Sequence, residues 1–350
     1  MSELIFVTGA TGFLGSHIVE QLLKEGYRVR ATARGQKAQT LKSIYADIAS
    51  QLQVVEISDI AHDQFPEALK GVDAVIHVAS PLAGRQNVDA MFNSAIEGSL
   101  NVLRQAEKAG VKRFVVTSST ATVVDKSNST RGAYNDQDWN HLTKEAAIES
   151  GQSGTIYSAT KKYAEIAVWE WAEAHPHVDV TTINPPYLYG PPAERFPLPE
   201  PDFNAISTNL LIYQFINPTG VYPPHPSYAD FRDVAKAHVG ALRSPPTAEV
   251  GRKRIIFASP HGFVFKDAVK LIAEKRPQLK ERLISRESLE YPFDRYEVDF
   301  ERIKEVTGLQ KSEFFTFEET FLDTIDSLVK AENEWKSKGF TVDIIPSTFD

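Results

Sequence analysis

The sequence predicts an α/β fold, namely a doubly wound parallel sheet with a smaller, mainly C-terminal subdomain. Two observations predict this class. Short apolar segments alternate with segments of helical periodicity over the first 190 residues, as in sheets whose parallel strands are joined by helices. The first apolar segment, 4–7, leads into glycines at positions 9, 12 and 15, and a helical pattern closed by Gly26 follows them.

The further elements are expected to alternate along the chain. We expect strands over 27–32, 52–57, 73–79, 113–117, 178–183 and 254–258. We expect helices over 39–50, 88–109, 157–174, 206–216, 266–275 and 316–338, and another that begins at residue 231. The polar stretch 125–155 is long for a loop, so it is either functional or contains a short helix.

The glycine turn is the first candidate site. Glycine lets a backbone approach a pyrophosphate closely because no Cβ is in the way. The helix that follows offers free N–H groups and the positive end of its dipole to a phosphate. A strand, a glycine turn and a helix in this order are typical of the Rossmann dinucleotide-binding unit, although the spacing here is G-x-x-G-x-x-G.

A change of composition after residue 190 suggests where the two units divide. Prolines crowd residues 191–201 and 218–226 around an apolar helical segment, and such connections suit a less regular, substrate-facing subdomain. We expect a dinucleotide-binding domain of residues 1–190 plus about 228–260, and a substrate-binding subdomain of residues 191–227 plus about 261–350.

Composition excludes several classes of function. The net charge of −8 gives no electrostatic reason to expect nucleic acid or an anionic membrane as a partner. The chain has no cysteine, which excludes disulfides, thiolate catalysis and cysteine-bound metals. No secretory signal is visible, and no apolar run approaches the roughly 18 residues that a membrane span needs. A cytoplasmic protein is therefore expected.

The end of the second strand indicates which dinucleotide binds. An acidic residue here would bind the ribose 2′-hydroxyl of NAD, but Thr32 and Ala33 hold the corresponding positions, followed by Arg34 and Lys37. A guanidinium fork can grip a 2′-phosphate, which a carboxylate would repel. This pattern favours NADP(H), the alternative being that both cations are merely solvated.

Two polar residues near strand ends have competing interpretations. Asp59 follows the third strand, where it either lies beside an adenine amino group or caps the segment that follows. His77 lies within the fourth strand among apolar neighbours, so we interpret it as a packed core residue rather than as a catalyst or ligand.

Tyr157, Lys161 and Ser119 are the candidate catalytic residues. Tyr157 and Lys161 are four residues apart and so share a face if they lie on a helix. An adjacent ammonium lowers the pKa of a phenol from its usual value near 10, which would make Tyr157 a general acid near neutral pH. Ser119 follows the fifth strand and could hold a substrate oxygen. Either feature alone is common by chance.

Their combination identifies a family. The motifs are Thr8-Gly9-Ala10-Thr11-Gly12-Phe13-Leu14-Gly15, Thr117-Ser118-Ser119, Tyr157-Ser158-Ala159-Thr160-Lys161-Lys162 and Asn184-Pro185-Pro186-Tyr187-Leu188-Tyr189-Gly190-Pro191. The chain resembles the extended short-chain dehydrogenases/reductases over nearly its whole length. Within them it is similar to the dihydroflavonol reductase-like branch, and most similar to fungal NADPH-dependent aldehyde and ketone reductases of the methylglyoxal reductase type.

The resemblance implies a role for each matching residue. Tyr157 would donate a proton to the carbonyl oxygen, Ser119 would hydrogen-bond that oxygen, and Lys161 would bind the nicotinamide ribose and lower the pKa of Tyr157. Other residues would contact NADP(H): Gly9, Thr11, Gly12, Phe13 and Leu14 at the turn, Arg34 and Lys37 at the 2′-phosphate, Asp59 and Ile60 at adenine, Ala79 and Ser80 along the cofactor, Pro185 and Leu188 at the nicotinamide, and Thr208 at the phosphates.

The sequence departs from the family pattern at two places. Ala95 stands where many extended members have an asparagine, which puts a fourth catalytic residue in doubt. Arg34 and Lys37 are one residue closer together than in similar reductases, which makes Lys37 the weaker contact.

Alternatives to a carbonyl reductase remain. They are a dihydroflavonol or cinnamoyl-CoA-type reductase, a sugar-nucleotide epimerase or dehydratase, and a dinucleotide sensor without catalysis. Tyr187, Phe203, Phe215 and the stretch 218–226 suggest a mostly apolar, partly aromatic pocket for a small-molecule carbonyl substrate. They do not choose between small aldehydes, bulky ketones, flavonoid-like compounds and acyl-CoA thioesters. The resemblance allows a monomer or a homodimer.

Overall fold

A computed structural model of the chain describes residues 2–80, 88–124, 133–288, 295–342 and 345–346. Its strands are β1 Leu4–Thr8, β2 Arg28–Ala33, β3 Leu52–Glu56, β4 Ala74–His77, β5 Arg113–Thr117, β6 Asp179–Asn184, β7 Tyr187–Tyr189, β8 Tyr228–Asp230 and β9 Lys253–Ile256. Its α-helices are α1 Phe13–Lys24, α2 Gln36–Ile44, α3 Pro66–Leu69, α4 Val88–Lys108, α5 Lys144–Ser150, α6 Ser153–Ala174, α7 Asn209–Tyr213, α8 Phe231–Ala241, α9 Thr247–Val250, α10 Phe265–Lys275, α11 Phe300–Thr307 and α12 Phe317–Ser337.

The central sheet has seven strands in the order β3-β2-β1-β4-β5-β6-β9. Neighbouring strands pair in parallel throughout. The strand order reverses between β1 and β4, and the crevice at the carboxyl ends there is the usual ligand site of such sheets. The predicted doubly wound parallel sheet is thus confirmed.

Strand β1 shows why the sheet is covered on both faces. Its five residues are all buried. Ile5 and Val7 pack into a cluster with α1, α8 and α11, whereas Leu4 and Phe6 pack into a second cluster with α4 and α6. Successive side chains point to opposite faces of a strand, so a continuous apolar run predicts the sandwiched strand that is observed.

The remaining helices build a second unit around its own core. Strands β7 and β8 form a separate parallel pair, and helices α7, α10 and α12 pack beside it. Phe215 is fully buried in this cluster, and Phe203 packs against Tyr213 and Trp335. The expectation that Phe215 lines the substrate pocket is therefore wrong, because its ring is fully buried in this core. Phe203 is only half-buried at the edge of the core, so its place in the pocket stays a prediction.

Several elements differ from the sequence prediction. The helix expected over 39–50 ends at Ile44 and is followed by a 3₁₀ turn, Ala46–Ile48. Helix α6 begins at Ser153, so Tyr157 lies in its second turn rather than at its start. The short pair β7 and β8 and helix α11 were not predicted, because each is too short for a clear periodicity. The stretch 125–155 does contain a short helix, α5, although residues 125–132 lie outside the described part of the chain.

Helix α11 belongs to the core of the central sheet, unlike the other long helices of the C-terminal stretch. Ile303 and Val306 pack in the cluster beneath the central sheet, whereas α10 and α12 belong to the second core.

Among the described helices, none has the length and apolar character needed to cross a lipid bilayer.

Candidate active site

The glycine turn joins β1 to α1 at the reversal of strand order. Gly9 has a φ of +71°, which favours glycine, and a Cβ there would lie 2.8 Å from the Ala79 nitrogen. A Cβ on Gly15 would lie 2.0 Å from the Gly9 carbonyl oxygen, so α1 packs directly on the turn. Gly12 is exposed, and its N–H donates to the Gly9 carbonyl at 2.9 Å. The turn is therefore compact and open on its outer side.

Helix α1 points its N-terminus into the crevice. Gly12 is its N-cap and supplies no side-chain cap, and no acidic residue stands in the first turn. The first N–H groups of a helix have no partner within it, and Phe13 and Leu14 carry two of them. Both side chains are buried, so these residues offer their backbone to an anion.

A hydrogen-bonded cluster ties the end of β1 to the end of β4. The Thr8 hydroxyl lies 2.8 Å from His77 Nδ1 and accepts hydrogen bonds from the N–H groups of Val78 and Ala79, each at 3.2 Å. Burial lowers the pKa of His77 to about 3, so this ring is neutral. The interpretation of His77 as a core residue agrees with this environment. Ala79 and exposed Ser80 continue from the strand end along the crevice.

Arg34 and Lys37 lie at the end of β2 and in the first turn of α2. Both are exposed. Within the described ranges, neither side chain has a hydrogen-bond or ion-pair partner. Lys37 and Thr11 line the same cavity, which has a volume of about 140 Å³. Two uncompensated cations at the end of β2 suit a ligand with a phosphate group there.

The Asp59 carboxylate is hydrogen-bonded within its own turn. One carboxylate oxygen accepts the Ala61 N–H at 2.9 Å, and the other lies 2.7 Å from His62 Nδ1. The hydrogen bond with His62 holds the pKa of Asp59 below its usual range. Asp59 therefore caps a turn, although no helix follows directly as the capping interpretation expected. Ile60 lies beside Gly98 of α4, and its carbonyl accepts a hydrogen bond from Asn101 at 2.9 Å.

Ser119, Tyr157 and Lys161 converge where β5 ends. Ser119 follows the strand and caps the 3₁₀ turn Thr120–Thr122, accepting the Ala121 N–H at 3.1 Å. Tyr157 is half-buried on α6, and its phenol is hydrogen-bonded to the Ser119 side chain. One turn further along, buried Lys161 donates to the Thr117 carbonyl oxygen at 3.1 Å. The structure thus brings together the three residues that the sequence pattern selected.

The electrostatics of this group correct one expectation. Burial raises the pKa of Tyr157, and its hydrogen bond with Ser119 opposes this only in part. Burial also lowers the pKa of Lys161 to about 8, against the opposing charge of Glu165. The pKa of Tyr157 therefore lies above its usual value and not below it as expected, because burial outweighs the hydrogen bond with Ser119. A lowering contribution of Lys161 to this pKa stays a prediction. Tyr157 keeps its proton at neutral pH.

The segment after β6 forms another wall of the crevice. The Pro185 carbonyl accepts the Thr120 N–H at 3.0 Å, so Pro185 is held against the turn that follows Ser119. Leu188 donates its N–H to the Thr208 hydroxyl at 3.1 Å, and that hydroxyl donates back to the Leu188 carbonyl. Thr208 therefore fixes the Leu188 backbone, and this geometry does not support the expected contact of Thr208 with phosphates.

Two neighbouring aromatic residues were not predicted from the sequence. The His225 ring stacks on Tyr187 with centroids 4.7 Å apart. Tyr296 donates its hydroxyl to Thr120 at 2.9 Å, directly beside Ser119. The proline-rich stretch 218–226 pointed to the segment of His225, but nothing local in the sequence marks Tyr296.

Comparison with known proteins decides the family. A model of the NAD dependent epimerase/dehydratase family matches residues 5–256, a span that holds the glycine turn, Ser119, Tyr157 and Lys161. The chain belongs to this family. Its resemblance to extended short-chain dehydrogenases/reductases is therefore confirmed.

Similar members of the NAD dependent epimerase/dehydratase family include fungal oxidoreductases. An uncharacterized oxidoreductase of Schizosaccharomyces pombe is 34% identical over 350 residues, covering 95% of this chain and 99% of that protein. The NADPH-dependent methylglyoxal reductase GRE2 of Saccharomyces cerevisiae is 32% identical over 295 residues, 79% of this chain and 83% of its own. The crystal structure of yeast Gre2 complexed with NADPH has a TM-score of 0.80 at 27% identity, covering 95% of this chain and 99% of that one.

Proposed function

We propose that the protein is an NADPH-dependent carbonyl reductase, which converts an aldehyde or ketone to an alcohol with Tyr157 as the proton donor. The observation that carries the proposal is the convergence of Tyr157, Ser119 and Lys161 at the end of β5. The carboxyl ends of parallel strands lie at one edge of a sheet, so this group shares its crevice with the glycine turn.

The residues of the crevice fit NADPH. A Cβ at Gly9 or Gly15 would collide with neighbouring backbone, so these glycines let the turn pack closely and bring the N-terminus of α1 to the crevice, where a phosphate can bind. Thr11 and Gly12, with the N–H groups of Phe13 and Leu14, would hold the pyrophosphate. Arg34, with a weaker contribution from Lys37, would hold the 2′-phosphate. Similarity to NADPH-dependent reductases supports the same cofactor.

The rest of the cofactor would follow the crevice from β3 to β6. Ala79 and Ser80 would line its middle, and Pro185 and Leu188 would contact the nicotinamide end. The exposed turn of Asp59 and Ile60 would flank adenine, with the carboxylate kept in the turn by Ala61 and His62. When bound, NADPH supplies the hydride that reduces the carbonyl carbon.

The chain's own residues would manage the carbonyl oxygen and its proton. The raised pKa of Tyr157 keeps the phenol protonated at neutral pH, as a general acid requires. Ser119 would hydrogen-bond the same oxygen and fix its direction. Lys161, whose pKa of about 8 leaves it charged at neutral pH, would hold the ribose of the cofactor.

We infer that the second unit, 191–227 and about 261–350 without α11, supplies most of the substrate pocket. The stacked rings of Tyr187 and His225 lie on this side of the site, together with Tyr296 beside Ser119. An aromatic wall with few charges suits a small, uncharged carbonyl compound. Arg34, which stands in place of an acid at the end of β2, argues against the tightly bound NAD of a sugar-nucleotide epimerase or dehydratase.

A cofactor-consumption screen tests the proposed function. Purified protein is given NADPH or NADH with a panel of aldehydes, diketones, ketoesters, dihydroflavonols and acyl-CoA thioesters, and absorbance at the reduced nicotinamide band is followed. Oxidation of NADPH with at least one carbonyl class supports the proposal. Lack of consumption with every compound, together with NAD that stays bound through purification, contradicts it and favours an epimerase or dehydratase.

Arg34→Ser is expected to change the choice of cofactor. The KM for NADPH should rise by about 10- to 100-fold, because hydrogen bonds to a charged partner contribute about 1.5–3 kcal/mol. The KM for NADH should stay nearly constant, since NADH lacks the 2′-phosphate. Steady-state kinetics with both cofactors measures this, and Lys37→Ala serves as the control with a smaller effect. An equal change for both cofactors would show that Arg34 does not recognise the 2′-phosphate.

A further inference from the structure

Helix α6 presents three polar residues to β5 on three successive turns. Tyr157, Lys161 and Glu165 are four residues apart and therefore lie on one face. Tyr157 is hydrogen-bonded to Ser119, and Lys161 donates to the Thr117 carbonyl at 3.1 Å. Glu165 accepts the Ser118 hydroxyl at 2.6 Å. Three consecutive residues at the end of β5, Thr117, Ser118 and Ser119, are thus each held by one of these side chains of α6. Of the three side chains, only Tyr157 and Lys161 belong to the proposed catalytic group.

The Glu165 carboxylate is almost fully enclosed, with a residue exposure of 3%. One oxygen accepts hydrogen bonds from Ser118 and from Asn184, at 2.6 and 2.7 Å. The other oxygen accepts the Nε hydrogen of Arg254 at 2.7 Å and the indole N–H of Trp169 at 3.2 Å. Every described neighbour in this set is a donor, so the site is built for an ionised acceptor.

Arg254 balances the buried charge. Its exposure is 2%, and its guanidinium also donates to the carbonyls of Asp136 and Asp138 at 2.7 and 2.6 Å and stacks over Trp139 at 3.8 Å. Burial acts to raise the pKa of Glu165, but the charge and hydrogen bond of Arg254, together with the hydrogen bonds of Ser118 and Trp169, outweigh it, so this pKa lies below its usual range. A buried ion pair with all its hydrogen bonds made can persist where an unpaired charge could not.

The residues that Glu165 holds adjoin both walls of the active site. Ser118 precedes Ser119, and Asn184 precedes Pro185, whose carbonyl accepts the Thr120 N–H at 3.0 Å. The carboxylate therefore links the end of β5 to the end of β6 from behind. It also faces Lys161 from one turn away on the same helix.

We propose that Glu165 is a positioning residue for the reduction, whose ionised carboxylate, fixed by Arg254, sets the placement of Ser119 and supports the charge of Lys161. This inference rests on the proposed function. Glu165 touches neither the carbonyl nor the cofactor in this scheme, and it acts through Ser118, Asn184 and Lys161.

A consequence for pH dependence follows from the groups around Lys161. Glu165 and Tyr157 face it from α6, and His77 faces it from β4, while Arg254 on β9 lies beyond Glu165. His77 and Tyr157 are neutral near pH 7, so Glu165 is the charge that favours the ammonium. Burial lowers the pKa of Lys161 to about 8, and a lysine loses its charge as the pH rises through its pKa. Activity should therefore fall as the pH rises through about 8. Without Glu165 the pKa of Lys161 should be lower, so activity should fall at a lower pH.

The test uses Glu165→Gln in the full chain, with Glu173→Gln as the matched control. Glu173 lies two turns further along α6 and pairs with Arg252 at 2.6 Å in solvent, where such pairs contribute little. In Glu165→Gln, kcat should fall by about tenfold or more, and the alkaline limb of the kcat profile should move down by about one pH unit. Glu173→Gln should show the profile and the kcat of the wild type.

Ser118→Ala keeps the inference testable if Glu165→Gln does not fold. It removes the 2.6 Å bond to β5 but keeps the ion pair, so kcat should fall by about tenfold while the alkaline limb stays in place. Wild-type kcat and profile in folded Glu165→Gln, or wild-type kcat in Ser118→Ala, would overturn the inference. A wild-type protein without reductase activity would instead overturn the proposed function. Reductase activity that is lost in Tyr157→Phe but unchanged in Glu165→Gln would overturn the role of Glu165 alone.

Discussion

Tyr157→Phe is expected to lower kcat by about 10²- to 10⁴-fold, the usual contribution of a positioned general acid. The substitution removes one hydroxyl and keeps the ring, so the packing of α6 should not change. NADPH affinity should stay close to the wild-type value, because the turn and Arg34 do not depend on the phenol. Stopped-flow or steady-state kinetics gives kcat, and fluorescence titration gives the Kd for NADPH.

The matched control for this variant is Tyr163→Phe on the same helix. The Tyr163 ring packs edge-on to Phe92 of α4 with centroids 6.0 Å apart. Its kcat should equal that of the wild type. A Tyr157→Phe variant that binds NADPH and keeps full turnover would remove Tyr157 as the proton donor. Unchanged biological function in such a variant would favour a dinucleotide sensor.

Gly15→Ala is expected to weaken NADPH binding by about 100-fold or more, since a misplacement of about 1 Å in a binding site has effects of this size. A Cβ on Gly15 would lie 2.0 Å from the Gly9 carbonyl oxygen, so α1 and the turn must move apart. The N–H groups of Phe13 and Leu14 would then no longer point toward the pyrophosphate. Overpacking should also lower the free energy of unfolding by about 1–3 kcal/mol.

Gly98→Ala provides the control for adding a methyl group to a buried helical glycine. The nearest atom to a Cβ on Gly98 is Ile60 Cγ2 at 3.7 Å, an ordinary contact. This variant should bind NADPH normally and be as stable as the wild type or more so, because alanine favours a helix over glycine by about 1 kcal/mol. Calorimetric titration and thermal unfolding report both quantities. Normal NADPH affinity in folded Gly15→Ala would show that the turn does not hold the cofactor.

The sequence was informative wherever a short-range pattern decides the geometry. The apolar run of β1 and the glycines after it predicted a buried strand and a bare turn, because strand burial and backbone approach depend on residues next to each other. The spacing of Tyr157 and Lys161 predicted a shared helix face, whereas their place in one site with Ser119 was implied by the resemblance to extended short-chain dehydrogenases/reductases. Local rules thus account for the central sheet, and the family resemblance accounts for the candidate catalytic group.

Burial and long-range partners were beyond the reach of the sequence. Nothing near Tyr157 indicates that burial raises its pKa or that Lys161 turns to the Thr117 carbonyl. Glu165 and Arg254 are 89 residues apart, and only the closed sheet brings them to 2.7 Å. Phe215 was expected in the pocket because it is aromatic and lies near the proline-rich stretch. It packs in the core of the second unit instead, and the sequence alone does not distinguish a core aromatic residue from a pocket one.

The measurement that tests the central claim most directly is hydride transfer from labelled NADPH. The cofactor carries deuterium at both C4 positions, and the substrate is the best carbonyl compound from the consumption screen. Mass spectrometry should find an alcohol with one deuterium on the former carbonyl carbon for each NADPH oxidised, and Tyr157→Phe should form almost none in the same time. An unlabelled product, or an isomerised substrate with no NADPH oxidised, would contradict the account.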